Sequence, residues 1–296
     1  MDTHALLQPT ILLAAVLALL PMLAAAFVPE QFRTLPQRLP LWLRIGLPSL
    51  LCVPYALTTS AFGILHPLWL AVYALVPALI AWLSDAAASA DPEQRGTWRD
   101  LLLLAGLGLA VDLRWLEPAW PHGFAAEGKM LLVDAGLYGF LGVRQLKDVG
   151  FDLRLRRRDI AIGLREFAYY APLAIPLGLA LHFLRFHAEW PSLAHALVAY
   201  LFTFLFIAIP EELFFRGWVQ NLLERRIGRT PALIATAVLF GLSHWNKRTT
   251  GFNWHYVLLA ALAGVFYGRA WRAERRVGAS AVTHATVDTV WSLWLR

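Results

Sequence analysis

Long apolar runs separated by short, mostly basic links dominate this chain. A helix needs about 20 mostly apolar residues to span a bilayer. By that measure runs lie near 10–28, 41–60, 67–83, 99–113, 124–143, 159–184, 193–222, 231–246, 254–271 and 279–295. The pattern predicts an all-α, polytopic membrane helix bundle of eight to ten transmembrane helices. The range is set by two weaker runs: 99–113 is short, and 124–143 is interrupted by Glu127, Lys129 and Asp134. The first run reads as a membrane helix rather than a signal peptide, because Met1-Asp2-Thr3-His4 lacks the Lys or Arg expected ahead of a signal sequence.

Basic residues alternate between links. With ten spans, one set holds Arg33, Arg38 and Arg44, then Arg95 and Arg99, Arg144 to Arg158, Arg225 to Arg229, and Arg269 to Arg276. The other set holds only Arg114, Arg185, Lys247 and Arg248, with Arg296 at the end. The positive-inside rule places the richer set in the cytoplasm and both termini outside. The link Gly150–Asp159 divides the chain into an N-terminal part, 1–150, of unassigned role and a C-terminal part, 151–296, that holds every candidate site residue. No internal repeat or low-complexity tract is evident.

Composition narrows the function classes. Of 296 residues 58% are hydrophobic and 16% charged, against about 25% charged in soluble domains. The net charge of +6 sits in the links rather than on a basic face with interleaved aromatics, so nucleic acid is not an expected partner. The bilayer is. Tryptophans near run ends (Trp190, Trp245, Trp254, Trp271, Trp291, Trp294) read as an interfacial belt. The single cysteine, Cys52, excludes an internal disulfide or Cys-based zinc site and reads as a packing residue.

Against this apolar background, Glu211-Glu212-Leu213-Phe214-Phe215-Arg216 places two adjacent carboxylates in the run that starts at Leu193. Ionisable groups at membrane depth mark a pathway or a reaction site. Glu212 and Arg216 share a helix face, while Glu211 points about 100° away. The economical reading pairs Glu212 with Arg216 and leaves Glu211 facing the interior. An isolated Glu–Arg pair equally serves to hold helices together; the second carboxylate is what points to a site. Pro210 removes a backbone donor at this place. Two later runs each add a histidine: Phe240 lies one turn before His244, and His284 one turn before Asp288. A lone His at a membrane boundary is commonly interfacial and Phe240 commonly core, whereas the polar pair His284–Asp288 within a span is harder to explain structurally. At about 1.5 Å per residue, Glu211, His244 and His284 lie roughly 16, 20 and 8 Å from the cytoplasmic ends of their helices, so one pocket can receive all three.

The ordered motifs EExxxR, FxxxH and HxxxD resemble the CPBP intramembrane proteases, which include the type II CAAX prenyl endopeptidases and the bacterial Abi-type proteins. The match rests on Glu211, Glu212 and Arg216, on Phe240 and His244, and on His284 and Asp288, within roughly 159–296. The resemblance implies peptide-bond hydrolysis in the membrane, with Glu211, helped by His244, activating a water and His284 donating to the oxyanion. Asn is the family's usual last residue. An ionised Asp288 cannot donate a hydrogen bond, so it acts by orienting His284 or in its protonated form. A metal-assisted variant would use zinc on Glu211, His244 and His284, although the chain has no HExxH; otherwise no cofactor is expected.

Two other classes stay open: a membrane scaffold or immunity-type binding protein of the same fold that does not cleave, and a proton-coupled transporter. The expected substrate is a membrane-embedded or lipid-modified peptide or protein. The short loops point to a multi-pass protein of a bacterial inner membrane.

Overall fold

The computed structural model describes residues 8–187, 190–247, 249 and 251–295, and each of the ten apolar runs falls on a helix within it. Met1 to His4, Arg248 and Arg296, which the sequence reading used, lie outside the described residues. Among the described residues there are eleven helices besides a short 3₁₀ turn at Glu117–Ala119: α1 (Pro9–Phe27), α2 (Pro29–Arg38), α3 (Leu41–Ala61), α4 (Pro67–Ala90), α5 (Trp98–Asp112), α6 (125–143), α7 (Arg157–Ala180), α8 (Leu193–Ile227), α9 (Arg229–Leu242), α10 (Trp254–Glu274) and α11 (Val277–Trp294). No strand occurs among the described residues.

Local chemistry sets the boundaries. Proline opens α1, α2 and α4, where its missing N–H costs nothing. Thr97 and Asp100 form a reciprocal capping box at the start of α5. Ser192 and Asn253 cap α8 and α10 by accepting the His195 and Tyr256 N–H groups, each at 3.2 Å. Gly228, at φ 84°, turns the chain from α8 into α9.

Four helices, α1, α3, α4 and α8, are long and apolar enough to cross a membrane, and α9 is a shorter apolar helix. The protein is a membrane protein built of helices; the expected eight to ten crossings are not established by length and composition. The reason is physical. Helix α7 begins with Arg157-Arg158-Asp159 and carries Arg165-Glu166, while α11 carries His284 and Asp288 among Ser and Thr. Charges and polar groups lower their hydropathy, so composition alone does not assign them to lipid.

The chain divides into two compact units, Met1–Lys147 and Asp148–Arg296. In the first, α1 packs on α3 and α6, and α4 packs on α3, α5 and α6. Arg144 is not a solvated flank charge: it is 2% exposed, bonds Asp91 at 2.6 Å and Asp100 at 3.1 Å, and donates to the Asp91 carbonyl at 3.0 Å. Of the interrupting charges of α6, Glu127 is partnered by Thr58 at 3.0 Å and Lys129 by Glu117 at 3.4 Å, while Asp134 is fully buried. Cys52 is half-buried rather than part of the core.

In the second unit α10 and α11 pack on α7 and on each other, α9 lies along α10, and α8 packs against α11. A Cβ at Gly264 would come within 3.0 Å of the Ala237 Cα, so a small residue is what lets α9 and α10 approach. Arg275, left-handed at φ 53°, makes the tight turn from α10 to α11. The basic link before α7 is tied to this turn. Arg276 bonds Asp159 at 2.8 Å and Asp152 at 3.3 Å, and the Val277 N–H donates to the Gly150 carbonyl at 2.9 Å. Burial alone would raise the Asp152 carboxyl, but hydrogen bonds from Arg154 and Arg276 hold it below its ordinary value. Trp271 departs from the interfacial belt: it is fully buried and donates to the Val149 carbonyl at 3.1 Å. A lipid-facing indole would leave that carbonyl unpaired.

Candidate active site

Helix α8 is irregular where the carboxylates sit. Residues Phe204–Ala208 and Leu213–Gln220 are wound as π-helix, with one α-turn, Ile209–Glu212, between them. Pro210, the second residue of that turn, has no N–H to bond the preceding one. Wide turns of this kind recur at functional sites. Here they flank the turn that carries Glu211 and Glu212, and the second of them carries Arg216.

Glu212 is the deeper of the two carboxylates. It is 0% exposed, and every oxygen is engaged. Oε1 receives Arg216 Nη1 at 3.1 Å and His284 Nδ1 at 2.8 Å; Oε2 receives the Ser280 hydroxyl. Arg216 is equally buried, donates from Nη2 to the Gly264 carbonyl at 3.0 Å, and lies over the rings of Phe240 and Tyr267 at 4.8 and 5.3 Å. The side chain of Glu211 is 31% exposed. The expectation that Glu211 is the inward-facing member is therefore corrected: Glu212 goes deeper because three donors satisfy it there, whereas Glu211 stays where it is part-open.

His284 joins these groups. A carboxylate only accepts, so Nδ1 carries the proton given to Glu212. Nε2 faces Asp288 Oδ2 at 3.4 Å and Glu211 Oε2 at 3.9 Å. Tyr267 stacks on the imidazole, 4.6 Å between centroids and 15° between planes. Phe240 stands between the two histidines, its centroid 4.9 Å from that of His244 and 5.6 Å from that of His284. His244 lies just past the end of α9 and donates from Nδ1 to the Phe240 carbonyl at 2.9 Å, which leaves Nε2 as the acceptor. Glu211 interacts electrostatically with both His244 and Arg216.

These side chains border a cavity of about 70 Å³. That volume accommodates several waters, at about 10–15 Å³ each by the same measure. His244, His284 and Asp288 form its polar wall; Phe167, Tyr170, Phe183, Tyr256 and Trp291 supply most of the aromatic remainder. Trp291 thus lines the cavity, where the sequence pattern suggests an interfacial role. Glu211 is not in the wall and stands at its His284 edge, 3.9 Å from Nε2. Among the described residues no group of three or more His, Cys, Asp or Glu side chains could hold a metal ion. Of the alternative zinc set, Glu211 and His284 lie 3.9 Å apart, and Nε2 of His284 also faces Asp288 at 3.4 Å.

Sequence reasoning did not single out Ser280 or Tyr267. Ser280 precedes His284 by one turn, the same spacing that joins His284 to Asp288, and that signal was present in the chain.

Residues 193–290 match the family described as Rce1-like, type II CAAX prenyl endopeptidase Rce1-like. This segment is similar to that family over about a third of the chain. It runs from the start of α8 into α11 and contains all seven residues on which the CPBP resemblance rests; α7, which lines the cavity, lies outside it. No curated protein and no solved structure matches the chain. The family it resembles is one of prenyl endopeptidases, and the chain's four apolar helices agree with a membrane protein.

Proposed function

We propose that the protein is an intramembrane endopeptidase that hydrolyses a peptide bond near the C-terminus of a membrane-associated substrate, using a water activated by Glu211. The observation that carries this reading is the placement of His284, held by Glu212 and Asp288 in the wall of a largely apolar cavity, with Glu211 beside its Nε2. Glu211 takes a proton from water as the water oxygen adds to the scissile carbonyl carbon. The free Nε2 of His244 orients that water. His284 donates to the developing oxyanion, the charge such sites must stabilise most. Collapse of the tetrahedral species breaks the C–N bond, and the proton on Glu211 passes to the leaving amine. Asp288 orients His284; Glu212 and Arg216 fix the ring from the other side.

A largely aromatic cavity suits a substrate that enters from lipid, embedded or lipid-modified, in a multi-pass protein of a bacterial inner membrane. The test is a reporter whose C-terminal membrane segment is processed in cells. Glu211→Gln is expected to abolish processing without lowering the amount of protein in the membrane. Continued processing by that variant would remove Glu211 as the base, and a wild-type protein that processes nothing would favour a scaffold or immunity-type binding protein.

A further inference from the structure

The hydroxyl of Ser280 is 0% exposed and is shared between two acceptors, Glu212 Oε2 and the Tyr267 carbonyl, the latter at 2.9 Å. Ser280, His284 and Asp288 lie one turn apart on a single face of α11. Glu212 therefore reads two successive positions of that face: Ser280 with one oxygen and His284 with the other. Arg216 also binds the His284 oxygen and is itself anchored to Gly264. Removing the hydroxyl would leave Oε2 buried with no donor, a loss that falls on a charged group. A carboxylate freed on one side can rotate, and the bond that rotation weakens is the one to His284 Nδ1.

We propose that Ser280 is a positioning residue for the reaction: by locking the Glu212 carboxylate it fixes His284 with its Nδ1–H on Glu212 and its Nε2–H directed to the substrate side. The proposal rests on the endopeptidase reading for its kinetic consequence and on geometry alone for the state of the ring. It extends the HxxxD motif by one turn to a residue that never touches the substrate. Tyr267, stacked flat on His284, permits rotation in the ring plane, so the hydrogen bond and not the stacking sets the angle of the ring.

Two measurements on the full chain in vesicles separate the kinetic claim from the structural one. The first is cleavage of an internally quenched peptide bearing a prenylated cysteine near its C-terminus. Ser280→Ala is expected to lower kcat by about 10- to 100-fold with KM within about twofold, the loss expected for a hydrogen bond to a charged group. Ser280→Thr keeps the hydroxyl and is expected to recover all but a few-fold of it. The second is nitrogen NMR of histidine-labelled protein, with His284→Gln assigning the signals. The wild type is expected to show His284 protonated on both ring nitrogens, and Ser280→Ala a shifted or averaged pair of ring signals. If the wild type fails to cleave the peptide, the ring signals still decide the role of Ser280. Unchanged His284 signals in Ser280→Ala, or a folded Ser280→Thr as impaired as Ser280→Ala, would overturn it.

Discussion

Two buried arginines, one in each compact unit, are held by carboxylates in opposite ways. Arg144 in the N-terminal unit bonds Asp91 and Asp100 and a backbone carbonyl, and among the described residues its hydrogen bonds end there. Arg216 in the C-terminal unit bonds Glu212, but that carboxylate also holds His284 and Ser280, and the histidine opens onto a cavity. The first cluster is closed, because each charge ends on its partner. The second is open, because one member hands its orientation on to a group with an unspent nitrogen. A buried ion pair is weak evidence of anything beyond structure; a buried pair that aims a third group into a cavity is evidence of a site.

The largest effect that would sharpen this contrast is at Glu211. Glu211→Gln should reduce cleavage by about 10²- to 10⁴-fold, the usual span for a general base, with the melting temperature unchanged, measured by peptide assay and thermal unfolding. Arg144→Ala should do the reverse. It strips both Asp91 and Asp100 of a buried partner and should cost about 3–5 kcal/mol of stability, while cleavage per folded molecule stays within a few-fold.

Asp288→Asn should have a smaller effect, since Asn keeps an acceptor beside His284. About a threefold change in kcat in either direction is expected from so long a contact, roughly 0.7 kcal/mol; a loss of a hundredfold or more would show that the charge of Asp288, and not its orientation of the ring, matters. The smallest effect is expected in acid. Asp152 has its carboxyl held down by Arg154 and Arg276, so its contribution is present above about pH 4, its unfolded range, and is lost as pH falls through the lower folded value. Proteolysis of the link 148–156 should then accelerate below about pH 4 before the bundle unfolds. Acceleration on raising the pH instead would contradict the sign.

How much of this could be read from the chain depends on the distance over which each interaction acts. Helices were legible because a backbone in lipid must satisfy its own hydrogen bonds, so apolar runs and helices coincide. Helix α2 escaped notice because its Glu30, Arg33 and Arg38 give it the composition of a link. The Glu212–Arg216 pair was legible from its spacing of four. The burial of Arg144 was not, since its partners lie 44 and 53 positions earlier, and a basic residue in a link carries the same signature whether solvated or clamped. Trp271 misled for the same reason: an indole near a helix end looks interfacial until the Val149 carbonyl, 122 residues away, is known to accept from it. At the site, the motifs supplied the residues but not their depth. That Glu212 lies beneath Glu211 depends on Ser280 and His284, 68 and 72 positions on.

The contrast between the closed and open clusters is tested most directly by one paired measurement: cleavage of the quenched prenylated peptide per folded molecule, for Glu211→Gln and Arg144→Ala side by side in the same vesicles. Glu211→Gln is expected to be fully folded and inactive, while Arg144→Ala is less stable and active in whatever fraction remains folded. Cleavage retained by folded Glu211→Gln would contradict this.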